Sequence, residues 1–191
     1  QPPPLPLDAL PPGLVVPLGF FPGARAGVHR GRTVTLHTHG PASPDAVPPL
    51  PCVSGAPAGL ALRAETAVDA MLDSAAYQLR TGDQEFDRAV LVRGDETLVA
   101  VLLDAPTRAA IREAIRGGLA VGNGDVAILS SHGRFPDPLL AAHLAAAYAL
   151  LDLLDVPRER WADRLVTTLG RDPIPAVRAA ALTRLVAFDR E

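Results

Sequence analysis

The clearest hydrophobic pattern in the chain lies between residues 137 and 154, where apolar residues recur at the spacing of one helix face. Asp137 and Pro138 come first, and an aspartate followed by a proline is a typical beginning of a helix. The pattern therefore predicts a central helix, shared as a wall by the region before it and the helices after it. Its apolar stripe consists of Leu139, Leu140, His143, Leu144, Ala147, Leu151 and Leu154.

Alternating patterns and turn signals predict strands elsewhere. The stretch RTVTLHTH at residues 32–39 alternates apolar and polar positions, as a half-buried strand does. Residues 88–93 predict a second short strand. Residues 119–129 predict a β-hairpin, because Asn123-Gly124 is a favoured hairpin turn. Residues 97–103 have no decisive period, and a strand is favoured there over a short helix.

Four other stretches favour helix: residues 60–79, 106–116, 158–169 and 174–188. Asp104 is the expected cap of the second of these, and Gly117 follows its end. Together with the strands, they predict an α+β fold. We expect a small mixed or antiparallel sheet with packed helices, followed by a helical layer at the C-terminal end.

Proline divides the chain unevenly, since 14 of the 20 prolines lie within residues 1–57. Proline interrupts helices, so the opening residues predict an extended arm that lays its apolar side chains on a surface of this chain or of a partner. Residues 41–58 are predicted to be a loop anchored by Leu50 and Val53. The expected divisions are an arm with one or two strands (1–58), an α+β core (59–135) and a helical segment (136–191).

Charge and composition exclude some classes of function. A net charge of −3 argues against a nucleic-acid partner, which requires a basic surface. No run of apolar residues reaches the roughly 18 to 20 that a membrane span needs. Cys52 is the single cysteine, so no disulfide forms within the chain. A cytoplasmic location is favoured, and tethering to a membrane through a segment before Gln1 is the alternative.

The C-terminal end resembles a known family of helical repeats. The pattern Leu165-x-x-x-Leu169-x-x-Asp172-Pro173-x-x-x-Val177-Arg178-x-x-Ala181-Leu182-x-x-Leu185, within about residues 157–190, is similar to one HEAT-type repeat. The resemblance implies that Asp172-Pro173 turns the chain between two helices and that Val177-Arg178 opens the inner one. One such unit cannot bury its own face, and the central helix is the expected neighbour.

A second resemblance concerns the stretch Thr81-Gly82-Asp83-x-x-Phe86-Asp87, which leads into a strand. It is similar to a turn found in uncharacterised bacterial α+β domains. The resemblance implies no activity.

His37 and His39 are candidate metal ligands, because residues two apart on a strand lie on the same side. The tetrapeptide His37-Thr38-His39-Gly40 resembles the first metal-binding strand of amidohydrolases, which also need later histidines, an aspartate and a barrel of roughly 250 residues. Cys52 is a possible third ligand. The alternatives are a solvent-facing strand for the histidines and a small buried apolar residue for Cys52.

Arg108, Arg112 and Arg116 lie four residues apart on one predicted helix face. Such a row can bind a phosphate or an acidic partner. The alternatives are a solvated face, favourable placement near a helix C-terminus, or pairing with the acidic row Glu65, Asp69 and Asp73.

These observations favour a non-catalytic scaffold or protein-interaction module, part of a larger protein or assembly, with no cofactor. The expected contacts are a protein partner or self-association, through the N-terminal arm or the C-terminal helices. A metal-dependent hydrolase that uses the His37-Thr38-His39 strand is the alternative. The predicted partner-binding residues are Leu14, Val15, Val16, Phe20, Phe21, Arg108, Arg112 and Arg116.

Overall fold

An antiparallel sheet of seven strands is the frame of the part of the chain that the structure describes. This structure, a computed structural model, describes residues 24–29, 31–37, 50–65, 78–122, 124–129 and 140–188. The strands are β1 (Ala24–His29), β2 (Arg32–His37), β3 (Leu50–Ser54), β4 (Ala61–Ala64), β5 (Val90–Arg93), β6 (Leu119–Gly122) and β7 (Asp125–Ile128). Their order across the sheet is β1-β2-β3-β7-β6-β4-β5, and all these pairings are antiparallel.

Six α-helices and one short 3₁₀ helix (Arg158–Arg160) accompany the sheet within the same residues. Aspartate begins the first three α-helices, because Asp83, Asp95 and Asp104 each accept a hydrogen bond from a backbone N–H of the first turn. This mixture of helices with an antiparallel sheet confirms the predicted α+β class. The α-helices are α1 (Gln84–Ala89), α2 (Glu96–Leu102), α3 (Ala105–Arg116), α4 (Leu140–Leu154), α5 (Trp161–Arg171) and α6 (Pro175–Phe188).

Several predicted elements are confirmed by the structure. β2 occupies the predicted strand, α3 follows its Asp104 cap, and α5 and α6 match the two predicted C-terminal helices. β6 and β7 form the predicted hairpin, in which Gly124 adopts a φ of +83° and Val121 pairs with Val126. The central helix is α4, described from Leu140 onward, and its predicted cap at Asp137 lies outside the described residues.

Two stretches predicted as loop and helix contain strands instead. The predicted loop at 41–58 includes β3, where Val53 is fully buried between β2 and β7. The predicted helix at 60–79 contains β4, where Leu62 pairs with Val92 of β5 and with Val121 of β6. Sheet pairing with distant strands overrides the local helix preference of this alanine- and leucine-rich stretch. Residues 66–77 of the predicted helix lie outside the described residues.

The strand favoured at residues 97–103 is wrong, because α2 occupies this stretch. The Asp95 carboxylate accepts hydrogen bonds from the amides of Thr97 and Leu98, both at 2.9 Å. The helix buries Val99, Val101 and Leu102, so its apolar residues do not follow one narrow stripe. The predicted strand at 88–93 is shorter than expected, since its first two residues end α1.

The helices cover the sheet in two groups. α3 packs on β4 and β6, while α4 packs on β3, β7 and α3. α5 and α6 pack on each other, and both pack on α2. The central helix α4 was the expected neighbour of the C-terminal helix pair, and the structure places α2 in that position instead. The loop between α2 and α3 is therefore the place where the C-terminal helices meet the rest of the core.

The sheet is continuous across the predicted boundary at residues 58 and 59, because β3 pairs with β7. Three strands, rather than one or two, lie within the first 58 residues. The division into three segments stays a prediction. Among the described residues, no helix has the length and apolar character that crossing a bilayer requires.

Candidate functional site

Arg108 is the centre of a buried charge network between α1, α3 and the turn from α5 to α6. Its guanidinium donates to both carboxylate oxygens of Asp172, with Nη1 and Nη2 at 2.9 Å and 3.1 Å. Its Nε donates to Asp83 at 2.9 Å, and Nη1 also donates to the Leu103 carbonyl at 2.7 Å. Only 2% of Arg108 is exposed. This one side chain therefore joins three separate parts of the chain.

The partner carboxylate of Asp172 is completely buried, with a side-chain exposure of 0%. It also accepts a hydrogen bond from the Ile174 amide at 3.0 Å, while the backbone carbonyl of Asp172 accepts one from Arg178 at 2.8 Å. Burial lowers the pKa of Arg108, but its bonds to Asp172 and Asp83 outweigh this and hold the pKa above its ordinary value. The buried pair is thus charged and fixes the turn between α5 and α6.

A second ion pair runs in the opposite direction between the same elements. Arg164 of α5 contacts the Asp104 carboxylate at 3.0 Å and donates to the Thr107 hydroxyl at 2.9 Å. The α3 side thus contributes Asp104 and Arg108, and the C-terminal side contributes Arg164 and Asp172. This reciprocal exchange balances the charges and orients the C-terminal helix pair on α3.

The Thr81–Asp87 stretch forms a closed turn beside this network. The Asp87 carboxylate is buried and accepts from the Thr81 amide and hydroxyl, both at 2.9 Å, and from the Gly82 amide at 3.0 Å. Burial opposes ionisation of Asp83, but hydrogen bonds from the Phe86 amide and Arg108 outweigh it, so the pKa of Asp83 is lowered. These contacts give both aspartates a structural role in beginning α1.

A cleft of about 190 Å³ adjoins the network and is lined by Asp83, Glu85, Ala105, Arg108, Ala109, Arg112, Pro173 and Ile174. Its charged side chains are already paired with one another, since Arg112 contacts Glu85 at 2.5 Å and Arg108 contacts Asp83. Acid–base catalysis requires two titratable groups held in unequal environments at a substrate. The lining of this cleft instead consists of ion pairs that connect α1 to α3.

The three arginines predicted as one partner-binding row have different environments. Arg108 is buried and fully engaged inside the chain, so it is not part of a solvated face. Arg112 is partly exposed beside Glu85, and Arg116 is exposed and pairs with Glu113 at 2.6 Å. Sequence reasoning missed the aspartates that bind Arg108, although Asp172 was part of the repeat-like pattern. Helical spacing alone does not reveal a partner 64 residues away.

The three candidate metal ligands are not shown together in the structure. His37 lies in β2, where its backbone pairs with Leu50, and His39 lies outside the described residues. Cys52 lies in β3 and is buried, and burial, followed by the charge of Asp125, raises the pKa of its thiol to about 11. Among the described residues, no group of three or more histidine, cysteine, aspartate or glutamate side chains is placed to hold a metal ion.

The predicted arm residues Leu14, Val15, Val16, Phe20 and Phe21 lie outside the described residues. The structure therefore says nothing about the surface on which they lie.

An unusual surface lies on the outer side of α6. The exposed residues of this helix include no charged side chain; they are Pro175, Ala176, Ala179, Ala180, Leu182, Thr183, Val186 and Ala187. Leu182 and Val186 are 48% and 46% exposed, and Val166 of α5 is 54% exposed. Both arginines of the helix are engaged within the chain, Arg178 with the Asp172 carbonyl and Arg184 with Glu96. We name the eight exposed residues the α6 outer face.

Comparison of this chain with protein-family models, with curated proteins and with solved structures found no match in any of the three.

Proposed function

We propose that this protein is a non-catalytic scaffold or protein-interaction module, and that the α6 outer face is its contact surface. The observation that carries the proposal is the absence of charge on this face. A surface helix normally presents polar and charged residues to water, whereas a helix that is apolar on all sides is normally covered. On α6, the buried residues Val177 and Ala181 contact the core, and the opposite side is also apolar.

The charge network supports a scaffold rather than an enzyme. Arg108, Asp172, Asp104 and Arg164 are engaged with one another, which is the arrangement that holds two helix layers in a fixed orientation. A fixed orientation of α5 and α6 presents their outer surface as a rigid unit, and rigid surfaces lose less entropy on binding.

The HEAT-type resemblance of residues 157–190 belongs to the same proposal. In repeat proteins each unit packs on its neighbours through apolar helix faces, so a unit with one open face accepts a further layer. Here α2 packs on one side of the α5–α6 pair, and the α6 outer face is the side that remains exposed. The N-terminal arm is a second proposed contact region.

Site-specific photo-crosslinking in the producing cells tests the proposal. We expect p-benzoylphenylalanine in place of Val186 to give one discrete protein adduct, because this position lies on the exposed apolar face. The same group in place of Gln84, an exposed polar residue of α1, is the matched control and should give none. The substitution Leu182→Lys should abolish the adduct while the melting temperature changes little, since surface changes usually cost less than about 0.5 kcal/mol.

The proposal fails if position 186 gives no adduct, or if positions 186 and 84 give the same products. The mass of the adduct also separates self-association from binding of another protein.

A further inference from the structure

The α6 outer face has small residues in its first half and large ones in its second. Ala176, Ala179 and Ala180 lie in the N-terminal half, while Leu182 and Val186 lie in the C-terminal half. The intervening Thr183 hydroxyl donates to the Ala179 carbonyl at 3.0 Å, so its hydrogen is used within the helix. The face is therefore a shallow trough followed by an apolar ridge.

A second copy of the same helix complements this shape when the two helices run antiparallel. The N-terminal half of each helix then faces the C-terminal half of the other. Leu182 of one copy lies against Ala179 of the second, and Val186 lies against Ala176. Large residues facing small ones is the arrangement that lets two apolar surfaces interdigitate without gaps.

We infer that α6 packs antiparallel on α6 of a second copy of this chain, across a two-fold axis near position 181. This inference rests on the proposed function, because it names the occupant of the proposed contact surface. A two-fold interface brings each surface patch against itself, so any charged patch would face a like charge. The α6 outer face presents no charged residue and avoids this repulsion.

Two further properties of the helix favour the same arrangement. Antiparallel helices place the positive end of one helix dipole beside the negative end of the other. Arg184, at the margin of the face, is engaged with Glu96 of its own chain, which reduces the charge it carries to the interface.

The size of the face indicates a weak interaction. A helix of 14 residues is about 21 Å long, and one side of it covers much less than the roughly 800 Å² per partner of a standard interface. We therefore expect dissociation constants between about 10 μM and about 1 mM, and association must be measured over that range.

Sedimentation velocity of the full chain over these concentrations tests the inference. The unaltered protein should convert from monomer to dimer as its concentration rises. Ala179→Glu and Leu182→Lys should each weaken association by about tenfold or more, because each places one charge against an apolar residue. An equimolar mixture of the two variants should associate again, since the new carboxylate then lies opposite the new ammonium group.

Gln84→Lys, which changes charge on α1 away from this face, is the control and should associate like the unaltered protein. Melting temperatures confirm that each variant is folded. The inference is overturned if the unaltered protein is monomeric at about 1 mM. It is also overturned if the two single variants associate normally, or if their mixture does not regain association. A monomeric protein that still crosslinks through position 186 to a different protein would refute the second copy and leave the proposed function standing.

Discussion

Replacing Arg108 by methionine tests whether the buried charge network holds the C-terminal helices on the core. Methionine keeps much of the length of the arginine stem but supplies neither the charge nor the hydrogen-bond donors. The substitution removes both bonds to Asp172, one to Asp83 and one to the Leu103 carbonyl. It leaves the Asp172 carboxylate, which has no exposed surface, without its counter-charge.

The expected loss follows from that uncompensated carboxylate. Removing one partner of a buried ion pair costs about 3–5 kcal/mol, a large part of the roughly 5–15 kcal/mol that stabilises a typical domain. For a chain of this length each kcal/mol corresponds to about 2–4 °C, so the melting temperature should fall by about 6–20 °C. Urea unfolding followed by circular dichroism measures the free energy of unfolding directly.

Arg116→Met is the matched control, because it makes the same change two turns later on α3. Arg116 is 69% exposed and pairs with Glu113 on the surface, so its loss should cost less than about 1 kcal/mol. A double-mutant cycle of Arg108→Met with Asp172→Asn should show a coupling of about 1–3 kcal/mol, because the two residues are in direct contact. Equal effects of Arg108→Met and Arg116→Met, or strict additivity in the cycle, would refute the reasoning.

Two other predictions concern the core. Gly82→Ala should destabilise the protein by about 2–4 kcal/mol in urea unfolding, because Gly82 has a φ of +90° and a new Cβ would overlap the Ala176 side chain. Gly31→Ala, at a φ of +76° with no atom nearby, should cost only about 1–2 kcal/mol; equal costs would contradict the proposed overlap. Because burial raises the pKa of the Cys52 thiol to about 11, the group stays protonated at pH 8 and should react with a thiol reagent far more slowly in the folded protein than in guanidinium. Rapid stoichiometric labelling of the folded protein at pH 8 would show that this thiol is accessible and ionised.

Local signals in the sequence were sufficient for the elements whose ends are fixed by neighbouring residues. Asp104 caps α3, Asn123-Gly124 marks the β6–β7 hairpin, and the Asp172-Pro173 pair separates α5 from α6. In each case a side chain or a glycine a few residues away satisfies the backbone, so the information is present within one short window.

The α2 helix shows where the local signal existed but was outweighed in the prediction. Its Asp95 cap is a normal helix beginning, yet the helix is buried on several sides and its valines and leucines have no clear period. Burial on several sides removes the polar face from which helical periodicity is read.

The tertiary structure alone decided the fate of β4 and of the arginine row. Residues 61–64 are a strand because they pair with β5 and β6, which lie far along the chain, and no local preference records that pairing. Arg108 and Arg116 share one helix and one spacing, but only Arg108 meets Asp83 and Asp172. The sequence by itself determined where helices and turns begin, because those interactions are short-range. Which charges are buried and which helix face stays open depends on contacts between distant segments, and these exist only once the chain has folded.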